Sequence, residues 1–181
     1  MTTLLVRPEG PQFYKTIGPD LGFGYLETAL AGRGRRVRIV DLMKSSPRTL
    51  AETIARERFD LIGFKLYSKD TSAFRRLAGS IAMSNAGNAR APIAIGGPLP
   101  TGLGAKCLEL FPEVDYAFAG ESERALPMLL DRLNGNDVPL PAIPGLIYRS
   151  DDGAIHANPQ EFPQDLDALG FPEFRQMPPA Q

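Results

Sequence analysis

Short apolar segments alternate with segments of helical spacing along most of the chain, and this alternation predicts the fold. Five segments rich in β-branched and aromatic residues predict strands. They are Thr3–Val6, Val37–Val40, Asp60–Ser68, Ile93–Ile95 and Asp115–Ala119. Between and after them, apolar residues recur every three or four positions, which predicts helices that begin near Leu21, Pro47, Thr71, Thr101 and Ala125. Since each connecting helix is a crossover between parallel neighbours, we predict a doubly wound α/β domain with a five-stranded parallel sheet in the order 2-1-3-4-5.

The pattern changes beyond residue 137. Gly145–Arg149 and Ala154–His156 flank the turn signal Asp151-Asp152-Gly153, which predicts a β-hairpin. The residues after Pro159 have the composition of a linker, with a single helical turn predicted at Asp165–Leu169. We therefore assign residues 1–137 to the binding domain and residues 138–181 to a hairpin and linker.

Ligands of doubly wound sheets bind outside the carboxyl ends of the strands, where the strand order reverses. Four loops meet this condition, namely residues 7–20, 65–70, 96–101 and 120–123. A glycine pair, Gly96-Gly97, ends the fourth strand and is followed by Pro98. Glycine has no Cβ, so a bulky ligand can lie directly against it, although for the glycine pair alone a tight turn between strand and helix is the commoner explanation.

Composition restricts the partners. Lysine plus arginine (20) nearly balances aspartate plus glutamate (21), so neither nucleic acid nor an anionic membrane is an expected partner. The single cysteine, Cys107, allows no internal disulfide, and a reducing cytoplasmic location is expected. No apolar segment reaches the length of a membrane span, and no secretory signal begins the chain.

Several segments, in order and spacing, resemble the amino-terminal cobalamin-binding domain of cobalamin-dependent radical S-adenosylmethionine enzymes. They are Pro19–Leu26, Val37–Asp41, Gly96–Thr101, Asp115–Glu121, Ile143–Arg149 and Asp165–Pro172. The resemblance implies that Gly96 and Gly97 let the nucleotide tail of cobalamin pass between strand and helix. It places the loop from Arg7 to Asp20 under the corrin ring. The cobalamin-binding residues that it implies are Arg7, Pro8, Gly18, Leu21, Gly22, Lys65, Tyr67, Ser68, Gly96, Gly97, Pro98, Pro100, Thr101, Gly120 and Glu121. No catalytic residue and no protein ligand to the metal is assigned.

The sequence departs from related domains in which a histidine binds cobalt. Those domains carry an Asp-x-His-x-x-Gly motif after the first strand, and here the only histidine is His156 in the predicted hairpin. By the resemblance, cobalamin is therefore expected with neither its own base nor a histidine on cobalt, and methyl transfer to an unactivated carbon is the expected reaction. A CxxxCxxC motif for an iron–sulfur cluster cannot be formed with one cysteine. The cluster, S-adenosylmethionine and the catalytic domain are expected outside this chain, which by itself is expected to be inactive.

Two other functions remain possible from the sequence. A flavin mononucleotide module would need a phosphate loop rich in serine, threonine and glycine after the first strand, which the loop after Arg7 matches poorly. A non-enzymatic docking domain would need the glycines only for turns. A visible spectrum after addition of hydroxocobalamin and desalting would discriminate these functions, and a second test is Gly97→Leu, which is expected to abolish cobalamin retention while leaving the fold intact.

Overall fold

The computed structural model describes residues 1–9, 18–84, 91–162, 170–172 and 174–177. Within these residues, seven strands form one sheet in the order β2-β1-β3-β4-β5-β6-β7. The strands are β1 (Thr2–Arg7), β2 (Arg36–Asp41), β3 (Leu61–Lys65), β4 (Ile93–Gly96), β5 (Tyr116–Phe118), β6 (Leu146–Arg149) and β7 (Ile155–Ala157). The predicted α/β class is confirmed.

The sheet is mixed, and this corrects the prediction of a five-stranded parallel sheet with a separate hairpin. The pairings from β2 through β5 are parallel, whereas β5 with β6 and β6 with β7 are antiparallel. Leu146 and Ile147 are 0% and 1% exposed, so both faces of β6 need apolar neighbours, and β5 supplies the adjacent strand. The sheet thus crosses residue 137, and the division of the chain there stays a prediction.

The helices are α1 (Leu21–Ala31), α2 (Pro47–Arg56), α3 (Thr71–Ser84), α4 (Pro98–Leu103), α5 (Lys106–Leu110) and α6 (Ala125–Leu133). Short 3₁₀ turns occupy Ser68–Asp70 and Leu140–Ala142. The helix predicted after β4 is divided into α4 and α5, because Gly104 ends α4 with a φ of +57°. The helical turn predicted at Asp165–Leu169 lies outside the described residues. No helix of the described part of the chain is long and apolar enough to cross a bilayer.

The helices form two layers, one on each face of the sheet. Helices α2, α3 and α5 pack with one core, which includes Leu50, Phe74 and Leu108. Helices α1 and α6 pack with the other, which includes Phe23, Leu30 and Leu129. On this second face, residues of α1 and α6 share one core with Leu5, Ile39, Phe118 and Leu146 of the strands. The central strands β3 and β4 lie between the two helices.

Residues 170–172 and 174–177 are docked on the domain, although the sequence predicted only a linker there. The side-chain oxygen of Gln176 accepts a hydrogen bond from Ile39 N (3.0 Å), and its amide nitrogen donates to Val37 O (2.8 Å), so one amide pairs with the outer edge of β2. The same nitrogen donates to Glu27 on α1 (3.1 Å). Met177 is buried as well. These contacts hold the end of the chain against α1 and the edge of the sheet.

Candidate functional site

A cavity of about 560 Å³ lies between the sheet and helices α1 and α6, at the carboxyl ends of the parallel strands. Its volume falls within the range of roughly 300–1,000 Å³ that is typical of small-molecule sites. The lining residues are Leu5, Gly22, Phe23, Leu26, Gly63, Phe64, Lys65, Tyr67, Ala94, Ile95, Gly96, Gly97, Pro98, Thr101, Phe118, Gly120, Glu121, Ser122, Glu123, Leu126, Gln160 and Phe162. Most of these side chains are apolar, and the charged ones are Lys65 at the end of β3 and Glu121 and Glu123 in the loop after β5.

Small residues on the two central strands form the floor of the cavity. Gly63 on β3 is paired in register with Leu5 on β1 and with Ala94 on β4. A Cβ added at Gly63 would lie 3.1 Å from Leu5 Cδ2. Because Leu5 lines the cavity, a side chain at position 63 would lie on the cavity side of the sheet. Because neither Gly63 nor Ala94 projects a bulky side chain, the space between α1 and α6 is left unfilled.

The two glycines after β4 have different roles. Gly97 has a φ of +94°, and a Cβ there would lie 3.1 Å from Leu66 O and 3.2 Å from Lys65 Cγ, so the backbone itself requires glycine. A Cβ at Gly96 would meet only Ser122 Oγ, at 4.0 Å, among the described residues. Gly96 is thus the glycine that leaves space for a ligand. The expectation that Gly97→Leu spares the fold is wrong on this geometry.

A hydrogen-bonded link joins the loops after β4 and β5. Thr101 Oγ1 donates to Gly97 O (2.9 Å) and accepts from Gly120 N (3.0 Å). Beside it, Gly120 has a φ of +79° and would place a Cβ 2.7 Å from Gln160 Oε1. Gln160 and Phe162, from the segment after β7, therefore close this side of the cavity, and Phe162 remains 74% exposed at its mouth.

Lys65 at the end of β3 is paired with Asp20. Its ammonium group donates to Asp20 Oδ1 (2.8 Å) and Oδ2 (2.9 Å), as the cost of burying an unpaired lysine leads one to expect. Asp20 Oδ1 also accepts from Phe23 N (3.1 Å) and so caps α1. The pair fixes the start of α1 against the sheet and neutralises the cation at the cavity wall.

Glu123 is the unusual carboxyl group of the cavity. Burial raises the pKa of Glu123 and the Glu121 carboxylate adds to the increase, whereas main-chain N–H groups of Glu123 and Ser122, and the Lys65 ammonium, lower it. Its Oε2 is buried and has no hydrogen-bond partner among the described residues. The carboxyl group of Glu123 therefore binds a proton more readily than that of an exposed glutamate.

Nine of the predicted cobalamin-binding residues line this cavity. They are Gly22, Lys65, Tyr67, Gly96, Gly97, Pro98, Thr101, Gly120 and Glu121. The other six do not line it. They are Arg7, Pro8, Gly18, Leu21, Ser68 and Pro100. Arg7 lies within salt-bridge distance of Asp20 (3.9 Å) and Asp41 (3.6 Å), Pro8 and Pro100 are buried, and Leu21 is 58% exposed. Contact of any of these residues with a cofactor stays a prediction.

Sequence reasoning missed the cavity floor and one wall. The position of Gly63 could have indicated the cavity floor, because a glycine inside an apolar strand often marks close approach by a ligand. Glu123 stands two positions after Glu121 in a loop predicted to border the site, but the predicted cobalamin-binding residues do not include it. Gln160 and Phe162 carried no signal, because their place at the cavity depends on how the chain returns after β7.

Comparison with known proteins identifies the family. The model of the B12 binding domain matches residues 14–130. The chain belongs to the B12-binding domain family. The predicted cofactor, cobalamin, is thereby confirmed at the level of the family. No curated protein matches the chain.

Solved structures share the fold of this B12-binding domain. The radical enzyme OxsB, described as cobalamin-dependent and solved with aqua-cobalamin and S-adenosylmethionine bound, superposes with a TM-score of 0.79 at 18% identity. The apo, selenomethionine-labelled form of OxsB gives a TM-score of 0.71 at 20% identity. Each match covers 90% of this chain and 22% of the OxsB chain. This B12-binding domain therefore spans about a fifth of the length of the enzyme that it resembles.

The single histidine of the chain, His156, lies beyond the residues matched by the family model and does not line the cavity. His156 is exposed on β7, where its ring stacks on Tyr148 with the centroids 5.2 Å apart. Its Nε2 lies 2.9 Å from Ser150 Oγ. These local contacts account for His156 within the hairpin.

Proposed function

We propose that this chain is the cobalamin-binding domain of a radical S-adenosylmethionine enzyme. It holds the corrinoid with the lower base detached from cobalt and inserted between the sheet and helices α1 and α6. The observation that carries the proposal is the apolar cavity of about 560 Å³ above Gly63 and Ala94. A flat aromatic base on a narrow tail fits a slot whose floor has no large side chains.

The residues of the cavity fit the parts of the nucleotide tail. Leu5, Phe23 and Phe118 offer apolar surface to an aromatic base. Gly96 lets the tail approach the backbone at the end of β4, and Thr101 holds the neighbouring loops in place. The pair of Lys65 and Asp20 fixes the start of α1 against β3 at the cavity wall.

The lower face of cobalt receives no histidine in this proposal. His156 belongs to the hairpin, and the loop motif that would supply a histidine is absent from the sequence. When bound, cobalamin would supply methyl-transfer chemistry, and we propose that the parent enzyme methylates an unactivated carbon. The iron–sulfur cluster and S-adenosylmethionine would belong to a catalytic domain, in the same or another polypeptide, in the cytoplasm.

Binding of hydroxocobalamin tests the proposal directly. The purified chain is incubated with hydroxocobalamin, desalted and examined by visible absorption. Retained colour with the spectrum of base-off cobalamin is the expected result. A colourless protein would favour a docking domain, and a yellow chromophore acquired during expression would favour a flavin module; either outcome would overturn the proposal.

A further inference from the structure

We propose that residues 158–162 form one wall of the cobalamin site and that Phe162 packs against the nucleotide tail of the bound corrinoid. The inference rests on the proposed function, because it needs the tail inside the cavity. It assigns a ligand contact to a part of the chain that lies beyond residues 14–130, which the family model matches.

Hydrogen bonds to main-chain groups fix the start of this segment on the domain. Gly145 N donates to Pro159 O (2.8 Å). The side-chain amide of Asn158 donates to Leu140 O (2.7 Å) and to Ile143 O (2.8 Å). The course of the chain directly after β7 is therefore set by the folded domain.

The two residues before Phe162 reach the loop between β5 and α6. Gln160 lines the cavity, and a Cβ at Gly120 would lie 2.7 Å from Gln160 Oε1. Arg124 Nη1 donates to Glu161 Oε2 (2.7 Å), but both side chains are more than half exposed, so this ion pair contributes little to stability. The contact of Gln160 with Gly120 places the next turn of chain, and with it Phe162, at the cavity.

Phe162 is the phenylalanine of the cavity that still has a large apolar surface to bury. Phe23, Phe64 and Phe118 line the same space, but each of them is already buried in the core. Phe162 lines the cavity and remains 74% exposed. A ligand that fills the cavity would remove part of this ring from water, which is favourable, and aromatic side chains pack well on flat bases.

The chain contains a second exposed phenylalanine that serves as a comparison. Single exposed apolar side chains are common in soluble proteins. Phe171 is 92% exposed and does not line the cavity. Phe162 differs from it because it is both exposed and part of the cavity wall, so only Phe162 should lose exposure when the corrinoid binds.

The first test measures whether a bound corrinoid covers position 162. The variants are Phe162→Cys and Phe171→Cys, each of which adds an exposed thiol to a chain whose own Cys107 is buried. Each is treated with a maleimide near neutral pH, with and without saturating methylcobalamin, in the dark. Methylcobalamin is used because the cobalt of hydroxocobalamin would bind a thiol. Mass spectrometry gives the rate of labelling, and the retained colour after desalting confirms that the corrinoid is bound.

We expect bound methylcobalamin to slow labelling of Phe162→Cys several-fold and to leave the labelling of Phe171→Cys unchanged. Equal rates for Phe162→Cys with and without the bound corrinoid would overturn this inference while leaving the proposed function intact. Equal slowing in both variants would also overturn it, because the protection would not be local. Failure of the wild-type chain to retain methylcobalamin would instead overturn the proposed function.

The second test asks which part of the corrinoid meets the ring. Dissociation constants are measured for cobalamin and for cobinamide, a corrinoid that lacks the nucleotide tail. Phe162→Ala should weaken cobalamin binding by about fivefold or more and leave cobinamide binding unchanged, whereas Phe171→Ala should alter neither. An unchanged affinity of Phe162→Ala for cobalamin, or an equal loss for both corrinoids, would contradict a contact between Phe162 and the tail.

Discussion

Gly63 and Ala94 are paired across the two central strands, and together they form the floor of the cavity. In a doubly wound sheet this place is normally filled by large aliphatic side chains, because parallel strands are buried on both faces. Here α1 and α6 pack to either side instead. The fold thus leaves a cavity above the pair of Gly63 and Ala94.

Substitution of Gly96 by leucine should fill this space. A Cβ at Gly96 has open space on the cavity side, with Ser122 Oγ 4.0 Å away, so the fold can accept the side chain. We expect the affinity for hydroxocobalamin to fall roughly 5- to 160-fold, because displacement of the leucine or of the ligand costs about 1–3 kcal/mol. The free energy of unfolding, measured by urea titration, should stay within about 1 kcal/mol of wild type.

Gly79→Leu is the matched control for this substitution. Gly79 lies on the exposed side of α3, and no described heavy atom approaches within 4 Å of its added Cβ. Cobalamin retention should be unchanged in this variant. Equal retention by Gly96→Leu and Gly79→Leu would contradict the assignment of the cavity as the site of the nucleotide tail.

Loss of the carboxylate at Asp20 should destabilise the domain. Asp20→Asn keeps an oxygen to cap α1 but removes the charge that neutralises Lys65, whose side chain is only 20% exposed. We expect a decrease of about 1–3 kcal/mol in the free energy of unfolding, since the ammonium group is left without its charged partner. The double variant with Lys65→Met should recover part of the loss; additive losses in urea titrations would show that the pair is not coupled.

The sequence predicted the α/β class and the loops around the site, because periodicity and glycine signals are local. The sequence could not show that Gly97 is required by the backbone whereas Gly96 leaves space for a ligand. That difference depends on how Leu66 and Lys65 pack against Gly97. The hairpin of β6 and β7 was predicted, but the pairing of β6 with β5 was not. The sequence of a hairpin does not indicate which strand of the larger sheet it pairs with. Gln160 and Gln176 contact residues that are distant in the sequence, so local composition could not predict their roles.

The contact of Gly24 with Phe174 explains why a glycine occupies the first half of α1. An added Cβ would lie 2.5 Å from Phe174 Cε1 and 3.0 Å from Pro172 Cβ. Gly24→Ala should therefore displace the end of the chain and cost about 1–3 kcal/mol, offset by the roughly 1 kcal/mol that alanine contributes to helix stability. Faster cleavage by trypsin after Arg175 is the expected readout.

A double variant separates the steric effect from other effects of alanine. In the Phe174→Ala background, Gly24→Ala should no longer lower stability, because the ring that it meets is gone. If the two substitutions reduce the unfolding free energy additively, the packing of Pro172 and Phe174 on α1 is not the reason for the glycine.

Cys107 should be unreactive in the folded domain. Burial raises the pKa of the Cys107 thiol from its ordinary value of 9.0 to about 11, opposed only in part by main-chain hydrogen bonds and by Arg149. Thiolate is the nucleophilic form, so a disulfide reagent at about pH 8 should modify the thiol only after unfolding. The reaction rate in water should therefore be far below that of the same chain in concentrated urea.

The same pKa difference makes stability depend on pH in a defined window. Below pH 9.0 the thiol is protonated in both states, and between pH 9.0 and about 11 it ionises only in the unfolded chain, so the folded state loses stability as the pH rises. The expected slope from this group is about 1.4 kcal/mol per pH unit. Other groups titrate in this range, so the measurement is the difference between wild type and Cys107→Ala in urea titrations at each pH. Because alanine has no proton to lose, the two stability curves should converge or cross with increasing pH, and parallel curves would contradict a buried, protonated thiol.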